Sequence, residues 1–290
     1  MCAVSLHILS ASGGRYIMAK GLLSKNKIKA NGLQFHKSIV IMWAMVKKNI
    51  KNQYRRSVLG ILWTVLNPLL TMLVMAFVFS SIFGRNNINM DYPVYVLSGN
   101  IVFSLMRTAT VTALPCMVNN YDLLTKTRVP YFVFPASNVV SSLVNFGFSL
   151  IALIVVMLIR LPQGVEFHWT LLMIIVWLPA IFFFSLGLAL ALCSIYVRFR
   201  DIKHLYNVFL TLWMYLTPVF YALETLHNEK VQKVLIANPM VHYLSYFRDL
   251  IMGIVPSWQT HLIIYGVGFL SLAIGWFIFR SQRKSFIIYI

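Results

Sequence analysis

Phe199-Arg200-Asp201-Ile202-Lys203-His204 opens the stretch that decides the fold, and Arg248-Asp249-Leu250-Ile251-Met252-Gly253 closes it. Between them an uncharged run, Leu205 to Leu223, holds Trp213, Tyr215, Thr217-Pro218, Phe220 and Tyr221. After Glu224 to Lys233 a second apolar stretch begins, and first Asn238-Pro239, then Arg248-Asp249, interrupt it. An uncharged hydrophobic run of about 18 residues or more can span a bilayer, whereas one of about 10–14 is re-entrant or interfacial. The stretch therefore predicts one spanning helix and then two short helices, over 224–257, that dip back without crossing. Irregular backbone at membrane depth persists only where protein buries it or water reaches it. The dipping segment is expected to line a cavity or a pore mouth.

The rest of the chain fits a membrane protein. Hydrophobic residues make up 59% of it and charged residues 11%, where a soluble domain carries roughly a quarter charged. The net charge of +18 is unevenly placed: eleven Lys/Arg precede Ile61, with no acidic residue among them. Such a tail attracts nucleic acid or anionic lipid in a soluble protein; beside membrane spans, the positive-inside rule accounts for it. Cys2, Cys116 and Cys193 form no CxxC pair and read as buried thiols.

Met1 to Gly14 has no cleavage site after an apolar core, so it does not read as a signal peptide. Residues 1–36 form a basic N-terminus and 37–60 hold an amphipathic helix. Ile39, Trp43, Val46, Ile50 and Tyr54 share one helical face, and Lys47, Lys48, Lys51, Arg55 and Arg56 fall mostly elsewhere. A basic helix with an apolar aromatic face lies in the membrane interface. Six spans are then expected within 61–280: Ile61–Phe83, Val94 to Pro115, Ala136–Ile159, Trp169–Val197, Leu205–Leu223 and Leu262–Phe279. The loop 116–135 is amphipathic and bounded by prolines, and 281–290 is a basic tail.

The fold class is thus an all-α integral membrane protein with both termini on one side. With that side cytoplasmic, it holds 19 of the 25 Lys/Arg: the first eleven with Lys126, Arg128, Arg198, Arg200, Lys203, Arg280, Arg283 and Lys284. Arg85, Arg160, Lys230, Lys233 and Arg248 fall opposite, and Arg107 lies inside a span. Seven acidic residues and scattered histidines offer neither an intramembrane carboxylate relay nor a metal-ligand spacing. No GxxxxGK[ST] phosphate loop is present, so energy for uphill transport must come from a partner.

Arg56-Ser57-Val58-Leu59-Gly60-Ile61-Leu62-Trp63 with Asn67-Pro68, then Leu97-Ser98-Gly99, Phe199-Arg200-Asp201-Ile202, Thr217-Pro218-Val219-Phe220-Tyr221, Asn238-Pro239 and Arg248-Asp249-Leu250 occur in that order. This ordered set resembles the ABC-2 polysaccharide-exporter permeases (the Wzm, KpsM and TagG type) over roughly Lys37 to Arg280. The resemblance implies a non-enzymatic permease in the bacterial cytoplasmic (inner) membrane. It implies a dimer of two copies bound to two ATP-binding cassette subunits, with ATP and magnesium held by those partners and no cofactor in this chain. The cargo implied is a polysaccharide on undecaprenyl diphosphate, whether O-antigen, capsule or teichoic acid. The amphipathic helix becomes an interface helix. Tyr121, Asp122, Leu123, Leu124, Lys126 and Arg128 belong to a coupling helix that docks in the ATPase, and 224–257 to an outward re-entrant pair. Relatives often carry an aromatic run after Leu-Ser-Gly, where this chain has Asn100-Ile101-Val102-Phe103-Ser104-Leu105-Met106-Arg107.

Two readings stand for each candidate site. Trp213, Tyr215, Phe220 and Tyr221, with Tyr243, Tyr246 and Phe247, can line a sugar pathway, since ring faces suit the C–H faces of sugars. They can equally be interfacial anchors and core. Arg107 can meet a lipid diphosphate, or pair with a backbone carbonyl or a dimer seam. Arg55 and Arg56, at the cytoplasmic entrance, are better placed for the diphosphate or for anionic headgroups. Two rivals remain: an ABC-2 exporter of a drug or small lipid, and a membrane glycan-modifying enzyme such as a polymerase or acyltransferase. The second needs paired acidic or histidine groups near a span end, which the sequence lacks.

Overall fold

The computed structural model describes residues 37–53, 59–60, 62–83, 90–126, 129–223, 228–283 and 286. The chain divides into two compact units, 1–44 and 45–290. Described residues of the first are the opening turns of helix α1 (37–53). The second holds α2 (Leu62–Phe83), α3 (Tyr92–Ala113), α4 (Cys116–Asn119), α5 (Tyr121–Lys126), α6 (Val133–Arg160), α7 (Ile174–Arg198), α8 (Ile202–Tyr215), α9 (Glu229–Ile236), α10 (Pro239–Ile251) and α11 (Trp258–Gln282). No strand occurs among the described residues.

Local chemistry sets the helix starts. The side chains of Asn228, Asn238 and Ser257 accept the backbone N–H of Lys230, Met240 and Thr260 and so begin α9, α10 and α11. Each such cap is worth about 1 kcal/mol. Pro239 occupies the first position of α10, where its missing N–H is no loss.

Four stretches among the described residues are long and apolar enough to cross a membrane: Tyr92–Ala113, Val133–Gln163, Trp169–Arg198 and Trp258–Gln282. They stand where the second, third, fourth and sixth spans were expected. Helix α2, 22 residues with Pro68 inside, occupies the place of the first. The fifth differs. Helix α8 ends at Tyr215 after 14 residues, about 21 Å at 1.5 Å per residue against a hydrocarbon core of about 30 Å. Pro218 has no N–H to continue the ladder, and the Thr217 hydroxyl caps the Trp213 carbonyl at 2.8 Å. The chain therefore turns at 216–221 instead of remaining helical to Leu223.

Helices α7 and α11 form the tightest pair. Gly187 and Gly275 face each other so closely that a Cβ on either would collide with the opposite backbone. Small residues let membrane helices gain van der Waals contact in this way. Helix α3 packs on α2, α6, α7, α8 and α10 and is the hub of the unit. The core closes around Trp177, whose indole N–H donates to the Tyr243 carbonyl at 3.0 Å, with Phe146 and Phe247 against its ring.

Candidate functional site

The turn after α8 leaves a run of backbone carbonyls without helical partners, and side chains from three distant segments take them. Asn238 Nδ2 donates to the Leu216 carbonyl at 3.2 Å and to Thr217 Oγ1 at 3.0 Å. Arg248 donates Nη1 to the Pro218 carbonyl at 2.8 Å and Nη2 to the Val219 carbonyl at 3.1 Å. Tyr92 Oη donates to the Phe220 carbonyl at 3.1 Å, and Tyr95 Oη to the Tyr221 carbonyl at 2.7 Å. The Tyr221 hydroxyl donates back to the Tyr215 carbonyl at 3.0 Å. Non-helical backbone is thereby satisfied inside protein.

Arg248 is the residue that sequence reasoning misplaced. It was counted with the outward loop charges, but it is 7% exposed. Its guanidinium also donates to the Tyr95 carbonyl at 3.2 Å and lies 3.4 Å over the Tyr95 ring. Gly99 makes room for it: a Cβ there would sit 2.8 Å from Nη2. The signal was present in the register, since Arg248 shares an α10 face with Leu244 and Ile251 at helical spacing. Asp249 beside it is half-buried, and desolvation raises its carboxyl above the usual carboxylate value.

The seven candidate pathway rings separate. Tyr243, Tyr246 and Phe247 are fully buried, and Tyr243 Oη donates to the Ile264 carbonyl at 2.7 Å. Their places at i, i+3 and i+4 put them on the inward face of α10. This moves them from the pathway wall into the fold's core. Phe220 is buried in the turn. Trp213 is half-buried and its indole N–H donates to Asn238 Oδ1 at 2.7 Å. Tyr221 is half-buried, and Tyr215 presents its ring outward, 59% exposed.

Helix α3 carries a second feature. Val94 to Gly99 are all buried, but beyond them Ser104, Arg107 and Thr112 are exposed and Asn100, Thr108 and Val111 half-buried. Arg107 lies six residues before the end of α3, about 9 Å along the axis. An arginine facing lipid at the helix centre costs about 3 kcal/mol even on the mildest scale.

At the other end of the unit, residues 45–53 of α1 meet α6. Asn49 Nδ2 donates to Asn138 Oδ1 at 3.3 Å and Ser141 Oγ at 3.4 Å, and Asn145 Nδ2 to Gln53 Oε1 at 3.0 Å. Lys48 Nζ reaches Asn120 Oδ1 at 3.4 Å, at the junction of α4 and α5. Tyr121, Asp122 and Leu123 of α5 are exposed and Leu124 half-buried. The backbone of Lys126 ends this helix; Arg55, Arg56 and Arg128 lie outside the described residues. Among the described residues no group of three His, Cys, Asp or Glu side chains is gathered for a metal.

Residues 41–252 match the ABC-2 type transporter family. The chain is 32% identical over 248 residues to an O-antigen export system permease protein, RfbA, of Myxococcus xanthus, covering 85% of this chain and 94% of that one. It is 27% identical over 266 residues to an O-antigen export system permease protein of Klebsiella pneumoniae, covering 90% and 97%. It is 24% identical over 212 residues to the capsule polysaccharide export inner-membrane protein CtrC of Neisseria meningitidis serogroup B, covering 72% and 77%.

Proposed function

The chain belongs to the ABC-2 type transporter family, and from that membership we propose that it is the permease subunit of an ATP-driven exporter of lipid-linked polysaccharide. The observation that carries this is the near full-length match to O-antigen export permeases, with 94% of the Myxococcus protein covered. The chain does no covalent chemistry. Two copies form the conduit and two separate ATP-binding cassette subunits, which hold ATP and magnesium, drive it. The exposed apolar face of α8, Leu205, Val208, Leu212 and Leu216, supports a second copy as its cover.

The cargo is a glycan on undecaprenyl diphosphate, crossing the inner membrane of a bacterium. Both termini lie in the cytoplasm, α8 with its turn counts as the fifth of six spans, and α9–α10 form the re-entrant outward pair. The exposed α5 supports docking of Tyr121, Asp122, Leu123, Leu124, Lys126 and Arg128 in the ATPase. The hydrogen bonds from α1 to α6 supply a route for its thrust. Arg55, Arg56 and Arg107 attract the diphosphate. Tyr215, flanked by Trp213 and Tyr221, offers the passing glycan a weak ring contact.

Deleting the gene and restoring it in trans tests the reading. Without the permease, surface glycan should disappear while lipid-linked glycan accumulates inside, and restoration should reverse both. Unchanged surface glycan in the deletion strain would sink it.

A further inference from the structure

We propose that the polar face of α3 is the floor of a water-filled vestibule, open toward the cytoplasm and closed above Asn100. It receives the phosphate-bearing end of the exported glycolipid, with Arg107 as its anion-reading group. This rests on the export reading and deepens it.

Position comes first. At about 100° per residue, Asn100, Ser104, Arg107, Thr108, Val111 and Thr112 fall within an arc of about 140°, and every outward-facing side chain on it except Val111 is polar. The outward faces of other long helices are apolar: Ile151, Ile154 and Leu158 on α6, and Leu262, Phe269, Leu270 and Phe277 on α11. Those faces suit lipid, and the α3 face does not.

Depth excludes a simple escape to the interface. Asn100 lies eight residues, about 12 Å, from one end of α3 and thirteen, about 20 Å, from the other. Neither its amide nor the Ser104 hydroxyl reaches a headgroup from there, so water or a polar cargo must come to them. The face runs on from Asn100 through Arg107 to Thr112, toward the end that leads into α4 and α5.

Closure follows from the neighbouring turn. Immediately above Asn100, Gly99 lies against the Val219 backbone and the Arg248 guanidinium. From there to Val94 the helix is buried on every side. The pinned turn thus seals the vestibule at mid-membrane.

The chemistry fits a phosphate ester bearing sugars. Arg107 presents a planar fork that matches two phosphate oxygens, and among the described residues its guanidinium has no hydrogen-bond or ion-pair partner. No acidic side chain shares its face, while Asn100, Ser104 and Thr108 offer donors and acceptors for sugar hydroxyls.

Single cysteines at Asn100, Ser104 and Thr108, with Cys2, Cys116 and Cys193 replaced by serine, test this in inverted membrane vesicles holding the whole transporter. A charged, impermeant thiol reagent should modify all three at least about tenfold faster than Met106→Cys, which is buried, or Phe277→Cys, which faces lipid. Inorganic pyrophosphate should slow modification of Ser104→Cys. Adding Arg107→Gln should weaken that protection about tenfold, the loss of one charge-assisted contact, and Arg107→Lys should retain part of it. Equal rates at all five positions would overturn the vestibule. So would a disulfide between two copies at Ser104→Cys with no labelling, which marks a dry seam. Fast labelling without pyrophosphate protection would overturn the role of Arg107. Labelling and protection as expected, in a protein whose deletion spares surface glycan, would support the vestibule and sink the export reading instead.

Discussion

Replacing Arg248 by methionine roughly keeps the volume of the side chain and removes the two donors that the guanidinium gives the turn. The Val219 carbonyl loses its 3.1 Å bond. The Pro218 carbonyl keeps a longer one from Tyr95 Oη, 3.4 Å, and the Tyr95 carbonyl keeps Ser98 Oγ at 2.9 Å. One orphaned buried carbonyl costs about 1–3 kcal/mol, and two weakened ones add about 1 more. Removing the guanidinium recovers part of its desolvation cost, which leaves a local loss of about 2 kcal/mol. That corresponds to a roughly thirtyfold larger open population of the turn. Ala222, buried at the end of the turn, reports it with little change in volume when made cysteine in a background without other cysteines. Its thiol-labelling rate should rise about thirtyfold in Arg248→Met and less in Arg248→Lys, which keeps one ammonium donor. Gly99→Ala should raise it too, since the new Cβ would press on Nη2 from 2.8 Å. Equal labelling with and without Arg248 would refute the account of the turn.

Three further outcomes follow from particular contacts. Leu124→Pro breaks α5 and should lower export at least about tenfold while ATP turnover continues and the protein still inserts; export at the parent rate would remove α5 from the coupling route. Tyr215→Ala should slow glycan export about two- to fivefold, the size of one ring contact of about 0.5–1 kcal/mol, whereas Phe277→Ala, 76% exposed, should not; equal rates for both would leave Tyr215 an anchor only. Gly275→Leu drives a side chain into the α7 backbone at Gly187 and should cost more than the roughly 1–3 kcal/mol of ordinary overpacking, read as a lower melting temperature in detergent; an unchanged melting temperature would contradict the packing of α7 on α11.

The long helices were legible because the cost of a charge in lipid is set by the residue itself. Runs free of charge therefore marked α6, α7 and α11, and a run with the single charge of Arg107 marked α3, without any knowledge of neighbours. The end of α8 was not legible in the same way. Leu205 to Leu223 is uniformly uncharged, and hydropathy does not separate a helix that stops at Tyr215 from one that continues. Thr217-Pro218 marks where it can break, and what holds the break as a turn is a set of donors at Tyr92, Tyr95, Asn238 and Arg248, remote in sequence and brought together by the fold of α3 against α10. Tyr243, Tyr246 and Phe247 admit both a pathway and a core reading from sequence, the first because they follow the aromatic run. Their i, i+3, i+4 spacing is equally that of a core face, and packing on Trp177 decides for the core.

On the export reading, the same geometry constrains how a path along α3 would open. The polar face of α3 stops at Asn100 because the turn 216–221 rests on Gly99, and the turn rests there because Arg248 of α10 holds it. A path continuing outward along α3 requires the turn to leave Gly99. With the Arg248 bonds intact, the turn can leave only if α10 travels with it. With those bonds broken, the Val219 carbonyl must find another donor. The first motion keeps the bonds from Arg248 to the turn, and the second leaves the Val219 carbonyl without that donor at a cost of about 1–3 kcal/mol. On the export reading, outward opening would be a displacement of α10 together with the turn, away from the Tyr95–Gly99 segment of α3. The contacts given up in that displacement are the Arg248 bond to the Tyr95 carbonyl and the Tyr92 and Tyr95 hydroxyl bonds to the turn. Water and sugar hydroxyls entering from the vestibule can replace all three.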